Sequence, residues 1–323
     1  MEPWSKKLAG RLDEHELDSA ALAGNPLGDP AQRPLWVYEP PGAAGATLPA
    51  IYLIQGFTGQ VDMWRNRSAF RPTVLELVDD LRAPARVVFV DAWTSYGGSQ
   101  FLDSPGVGNY HTYLCEDVVG FVDERYPTSE RAIAGKSSGG YGAMVTAMLR
   151  PDVFAGLATH AGDALFELCY LPDFRDAVRG LRDRYDGSPN AFWQDFRSRP
   201  AFSKTTDHAL INTFAMAECY SPGELPFDPA TGELKPDVWE RWLAWDPVRM
   251  VDGHADALRG LHAVYIDAGK RDDFYLDLGA EAFRRALERI GVTDVFFELF
   301  DATHSAIEYR YPIALRYLAE RLQ

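Results

Sequence analysis

The chain has 323 residues, 46% hydrophobic and 24% charged, a globular composition that excludes disordered, collagen-like and low-complexity proteins. Its 47 acidic side chains against 32 Lys and Arg leave a formal charge of −15, a poor match for nucleic acid or anionic membranes. The first residues, Met1 to Lys7, lack the apolar run of a signal peptide and no stretch is apolar enough to span a bilayer, so a cytoplasmic protein is expected.

In chain order, residues 34–38 predict a strand that stops at the turn Pro40-Pro41-Gly42. A second apolar run, 50–54, ends at Gly56, and a third, 86–91, follows a helical pattern around Val74 to Leu81. A fourth, 132–134, follows the helix-like stretch 114–126. The rhythm resumes at 154–158, 263–266 and 295–300, with helices beginning near Leu278 and Ile313. Short apolar strands alternating with amphipathic helices predict an α/β fold, a mostly parallel sheet covered on both faces. Between Leu165 and Trp245 the strand rhythm gives way to short helices, with Pro189 and Pro236 at first-turn positions. The expectation is one α/β domain over 1–323 with a helical insert or cap at 165–245. Phe192, Trp193, Phe196, Phe214, Tyr220, Trp239, Trp242 and Trp245 load this insert with rings. Most are expected to form its own small core, and others to wall a substrate pocket.

The strongest local signal is Gly135-Lys136-Ser137-Ser138-Gly139-Gly140, between a short strand and a helix-compatible run. G-x-S-x-G in that setting is a nucleophile elbow, whose glycines are needed because the tight turn leaves no room for Cβ atoms. Gly135-Lys136-Ser137 also resembles the end of a phosphate-binding loop. That motif would need a glycine at Glu130 and a loop at 131–134, where the chain has an apolar strand. Lys136 then reads as a solvated elbow residue.

A serine nucleophile needs a base and an orienting acid, in this fold in the order Ser, acid, His. His304, just past the last strand, is the expected base; His262 lies at the wrong end of its strand. His160 precedes every acid candidate and reads as a core histidine or a pocket-wall residue. The acid should come from the loop 267–274, where Asp267 is placed to cap a turn and either Asp272 or Asp273 could reach an imidazole. The N–H groups of Phe57, after the second apolar run, and of Ser138 are the expected oxyanion donors. Cys115, Cys169 and Cys219 have no pairing or C-x-x-C spacing, so neither disulfides nor a zinc ribbon are expected.

On residues 52–59, 135–143, 269–274 and 303–305 the chain resembles the putative esterase (esterase D-like) family of α/β hydrolases. That group includes S-formylglutathione hydrolases, enterochelin esterases, feruloyl esterases and mycolyltransferases. The resemblance spans about 35–164 and 246–323 and implies that Asp272, three residues after the loop glycine, is the acid. This chain departs from the family at Ser138, where Met or Leu is common, and at Gln55, where His or Asp is common; neither change removes a backbone donor. The expected activity is hydrolysis of a small-molecule ester or thioester through Ser137, His304 and Asp272, without metal or organic cofactor. An acyltransferase or a catalytically silent binding protein on the same scaffold are the alternatives. Nucleic acid and membranes are not expected partners, and a homo-oligomer is left open.

Overall fold

The structure, a computed structural model, describes residues 6–67, 71–200 and 202–323. An antiparallel hairpin of β1 (Arg11–Asp18) and β2 (Gln32–Glu39) leads into β3 (Leu48–Ile54), α1 (Val74–Leu81) and β4 (Arg86–Val90). A small ribbon, β5 (Asp103–Ser104) and β6 (Gly108–Asn109), precedes α2 (Tyr110–Thr112), a π-helical stretch at Tyr113–Val118, and α3 (Val119–Arg125). Then come β7 (Thr128–Lys136), α4 (Ser138–Leu149) and β8 (Gly156–His160). A helical run follows: α5 (Phe166–Cys169), α6 (Leu171–Tyr185), α7 (Pro189–Ser198), α8 (Asp207–Tyr220), α9 (Pro236–Leu243), α10 (Pro247–Met250) and α11 (Ala255–Arg259). The chain closes with β9 (Ala263–Gly269), α12 (Leu276–Arg289), β10 (Phe296–Phe300) and α13 (Tyr311–Arg321).

The eight-stranded sheet runs β1-β2-β4-β3-β7-β8-β9-β10. Pairing is antiparallel on both sides of β2 and parallel from β4 to β10. This is the α/β-hydrolase fold that the sequence predicts. The central strands β3, β4, β8 and β9 are almost wholly buried because helices cover both faces, so their sequences read as continuous apolar runs. On one face α1 and α13 supply Val74, Val78, Leu315 and Leu318; on the other α3, α4 and α12 supply Val122, Met144 and Phe283. Helix α1 starts with a reciprocal cap: Glu76 N donates to Thr73 Oγ1 at 3.1 Å, and Thr73 N donates to Glu76 Oε2 at 2.8 Å.

Strand β1 is absent from the sequence expectation. Its residues, Arg-Leu-Asp-Glu-His-Glu-Leu-Asp, sit at the sheet edge and carry the charges that block edge-to-edge pairing, so no apolar alternation marks it. The proline-led helices are confirmed at α7, where Ser188 Oγ accepts from Ala191 N at 3.2 Å, and at α9. Since β3, β7, β8, β9 and β10 are parallel, the loops after them gather at one edge of the sheet.

Candidate active site

The elbow is forced by close backbone approach. A Cβ on Gly139 would stand 2.4 Å from Ile54 O, and one on Gly135 2.4 Å from the Gly139 carbonyl carbon. Neither neighbour can move aside, because both belong to the packed β3–β7–α4 unit. Ser137 takes φ 59° and ψ −127°, a conformation that costs a non-glycine residue about 1–3 kcal/mol. Its N–H is shared between His160 O at 3.0 Å and Ala161 O at 3.1 Å, and its carbonyl accepts from Tyr141 N as α4 begins. The elbow thus holds the Ser137 side chain at the head of α4.

Next to it lies the loop after β3. A Cβ on Gly56 would meet Lys136 O at 3.0 Å, so Phe57 is drawn up against the elbow. Thr58 N donates to Gly97 O at 2.8 Å and Gly59 N to Gly56 O at 3.0 Å. Among the described residues the N–H groups of Phe57 and Ser138 have no intramolecular acceptor. Both residues line a cleft of about 590 Å³ that also contains Ser137 and His304.

The loops after β9 and β10 bring Asp272 to His304. Asp272 is buried, and its Oδ2 lies 2.8 Å from His304 Nδ1. Its Oδ1 accepts from Phe274 N at 2.8 Å and Leu276 N at 3.4 Å, which fixes the carboxylate plane. Asp273 is exposed and, among the described residues, accepts from the backbone N–H of His304 at 3.4 Å and not from its ring. A carboxylate only accepts, so Nδ1 carries the proton in this pair and Nε2 is left for the cleft. The Phe274 ring packs nearly perpendicular to the imidazole, with centroids 4.9 Å apart.

The Ser137 hydroxyl is not hydrogen-bonded to His304. Its side-chain partner is Asp163 Oδ1, at 3.5 Å. Asp163, in the loop after β8, was not singled out from the sequence, although the carboxyl end of a strand beside the elbow is where a site residue is expected. Burial raises its pKa, while hydrogen bonds from Tyr170, Gln100 and Ser138 and the nearby His304 act in the opposite direction.

Other expectations are corrected. Lys136 is not solvated: its side chain is 18% exposed, lines the cleft and places Nζ 3.8 Å from Glu308 Oε1. Burial lowers its pKa, against the opposing pull of Glu308 and Asp272. Asp267 caps no turn. It lies within β9, buried between His160 Nδ1 at 2.6 Å, Arg310 Nε at 2.7 Å and the Tyr265 hydroxyl at 2.8 Å. His160 is accordingly a core histidine and not a pocket wall. None of the eight insert rings singled out from the sequence lines the cleft. Phe192, Tyr220, Trp239 and Trp242 are buried, and Trp242 packs on Tyr220 at 5.3 Å and Phe174 at 5.5 Å. The insert reaches the cleft instead through Cys169, Tyr170, Phe202, His208 and Asn212. Burial pushes the Cys169 thiol pKa well up, so it offers no thiolate. His262 lies at the opposite end of β9, 3.0 Å from Glu130, as expected. Among the described residues no cluster of three His, Cys, Asp or Glu side chains is arranged to hold a metal, and no helix is long and apolar enough to cross a membrane.

A family model described as "Putative esterase" matches residues 30–289. Among solved structures, an S-formylglutathione hydrolase from Agrobacterium tumefaciens superposes with a TM-score of 0.61 at 19% identity, covering 99% of this chain and 98% of its own. A ferulic acid esterase gives 0.60 at 17% identity, with 98% of both chains covered. The fluorophosphonate-binding serine hydrolase F of Staphylococcus aureus, solved with substrate bound, gives 0.58 at 16% identity, covering 97% of this chain and 98% of its own. At these identities the superpositions establish the fold.

Proposed function

The chain belongs to the Putative esterase family and is a carboxylesterase-type hydrolase, and from that premise we propose that it cleaves small-molecule esters or thioesters through an acyl-enzyme on Ser137. One observation carries the reading: a strained serine and an aspartate-held histidine face the same cleft. In the reaction the Ser137 hydroxyl turns about its Cα–Cβ bond from Asp163 to His304. Its oxygen attacks the acyl carbon as Nε2 takes the proton, and Asp272 stabilises the resulting imidazolium. The N–H groups of Phe57 and Ser138 receive the oxyanion of the tetrahedral intermediate. His304 then returns the proton to the departing alcohol or thiol, leaving the acyl group on Ser137. Water enters by the same route: His304 removes one proton, the hydroxyl adds to the acyl carbon, and the carboxylic acid leaves as the proton returns to Ser137.

The helices within 165–245 act in this scheme as a cap on a single hydrolase domain. Tyr170, Phe202, His208 and Asn212 shape the space above the serine. A fluorophosphonate probe tests the assignment, because an unactivated serine does not react with it. Peptide mass mapping is expected to place one phosphonyl group on Ser137. No labelling, or labelling at another residue, would overturn the reading.

A further inference from the structure

The reaction leaves one buried carboxylate of the cleft without a task. Asp163 is 6% exposed and borders the cleft beside Ser137. Its Oδ2 is filled, accepting from the Tyr170 hydroxyl at 2.9 Å, Ser138 Oγ at 3.1 Å and Gln100 Nε2 at 3.3 Å. Its Oδ1 has, among the described residues, only the Ser137 hydroxyl at 3.5 Å, the outer limit of a hydrogen bond. That leaves acceptor capacity at the nucleophile, where the first atoms of a substrate must lie.

The charge is unmatched as well. Asp91, Asp207, Asp246 and Asp267, also buried, each hold an arginine, and Asp272 holds His304. Asp163 has no ion-pair partner among the described residues, and Lys136, the lysine of the cleft, is set beside Glu308. A buried carboxylate without a cation is unfavourable, the more so where an oxyanion must form against the N–H of Ser138.

The substrate can supply the missing cation. Around the attacked carbon, the carbonyl oxygen takes the oxyanion donors and the leaving group takes His304, which must protonate it. The remaining substituent, the acyl chain, is then free to approach Asp163, which lines the cleft beside Ser137. A donor on the carbon next to the carbonyl lies two bonds from the reacting centre, within reach of a group that already touches Ser137 Oγ. We propose that Asp163 is a specificity-determining residue that selects acyl groups bearing an ammonium on that carbon, favouring α-amino acyl esters over isosteric alkyl esters. This rests on Ser137 being the nucleophile. The ammonium donates to Oδ1, neutralises the carboxylate during oxyanion formation and displaces the Ser137 hydroxyl toward His304.

The test compares p-nitrophenyl esters of alanine and of isobutyric acid, which differ by an ammonium in place of a methyl. Wild-type kcat/KM is expected to favour the alanyl ester at least tenfold after correction for spontaneous hydrolysis. Asp163→Asn should bring the ratio near one, whatever its absolute rates, whereas Glu308→Gln, altering the other cleft carboxylate, should preserve the preference. A wild-type ratio near or below one overturns the proposal without recourse to any variant. So does a preference that survives in D163N or collapses in E308Q. Failure to cleave either ester, together with no phosphonyl label on Ser137, would instead bring down the assignment of the nucleophile.

Discussion

Two histidine–aspartate pairs stand at the same end of the sheet and are built alike. Asp267 lies in β9 and Asp272 in the loop after it, and each meets an imidazole Nδ1, at 2.6 Å in His160 and 2.8 Å in His304. They differ in what surrounds the second nitrogen. His304 lines the cleft, whereas His160 Nε2 is buried among the rings of Tyr265 and Tyr311, with no hydrogen-bond partner among the described residues. They differ also in where the aspartate's charge is spent. Asp267 holds Arg310 and the Tyr265 hydroxyl, and Arg310 continues to Glu298. The other partners of Asp272 are backbone N–H groups, which orient the carboxylate without supplying a full positive charge. A His–Asp pair is thus a candidate base only where its free nitrogen has somewhere to send a proton; sealed in the core, the same pair ties strands together.

The two aspartates should answer the same substitution in opposite ways. Asp272→Asn should lower kcat/KM on p-nitrophenyl esters by roughly 10⁴-fold, through the wrong imidazole tautomer, while shifting the melting temperature by only a few degrees. Asp267→Asn should do the reverse. It leaves Arg310 short of a buried partner and is expected to cost about 3 kcal/mol of folding stability, read from denaturant unfolding, with turnover of the folded protein within about tenfold of wild type. An exchange of these phenotypes would overturn the roles given to both aspartates.

The pH dependence of stability isolates the pairing of Asp267. Burial alone would raise the Asp267 pKa, but His160, Arg310 and Tyr265 outweigh it and hold the carboxyl below the usual aspartate range. A group depressed in the folded state stabilises above its unfolded pKa, and the contribution is lost as pH falls through the folded value. The stability gap between wild type and Asp267→Asn should therefore be full at neutral pH and narrow on acidification below the ordinary aspartate range. A gap that widens there would contradict the ion-pair account.

What could be read from the sequence follows the same division. The elbow glycines, Phe57, His304 and the 267–274 loop were legible because each is tied to a short strand and a local turn constraint. The choice of Asp272 over Asp273 needed the family resemblance, since neighbouring carboxylates have no sequence mark for the direction each faces. Asp163 escaped because its partners come from separate stretches: Gln100 from the loop before β5, Tyr170 from the start of the insert. Lys136 read as solvated because Glu308, which sits beside it, lies 172 residues further along the chain. The insert rings are expected to form a small core of their own, but the buried ones join the core of the main sheet, and the insert lines the cleft through Cys169, Tyr170, Phe202, His208 and Asn212 instead.

If Ser137 is the nucleophile, Ser137→Ala removes the atom that attacks the ester. Its turnover of short p-nitrophenyl esters should fall roughly 10⁴- to 10⁶-fold, with an unchanged far-ultraviolet spectrum and a melting temperature near that of wild type. Retention of more than a few per cent of wild-type turnover in the folded variant would contradict that role.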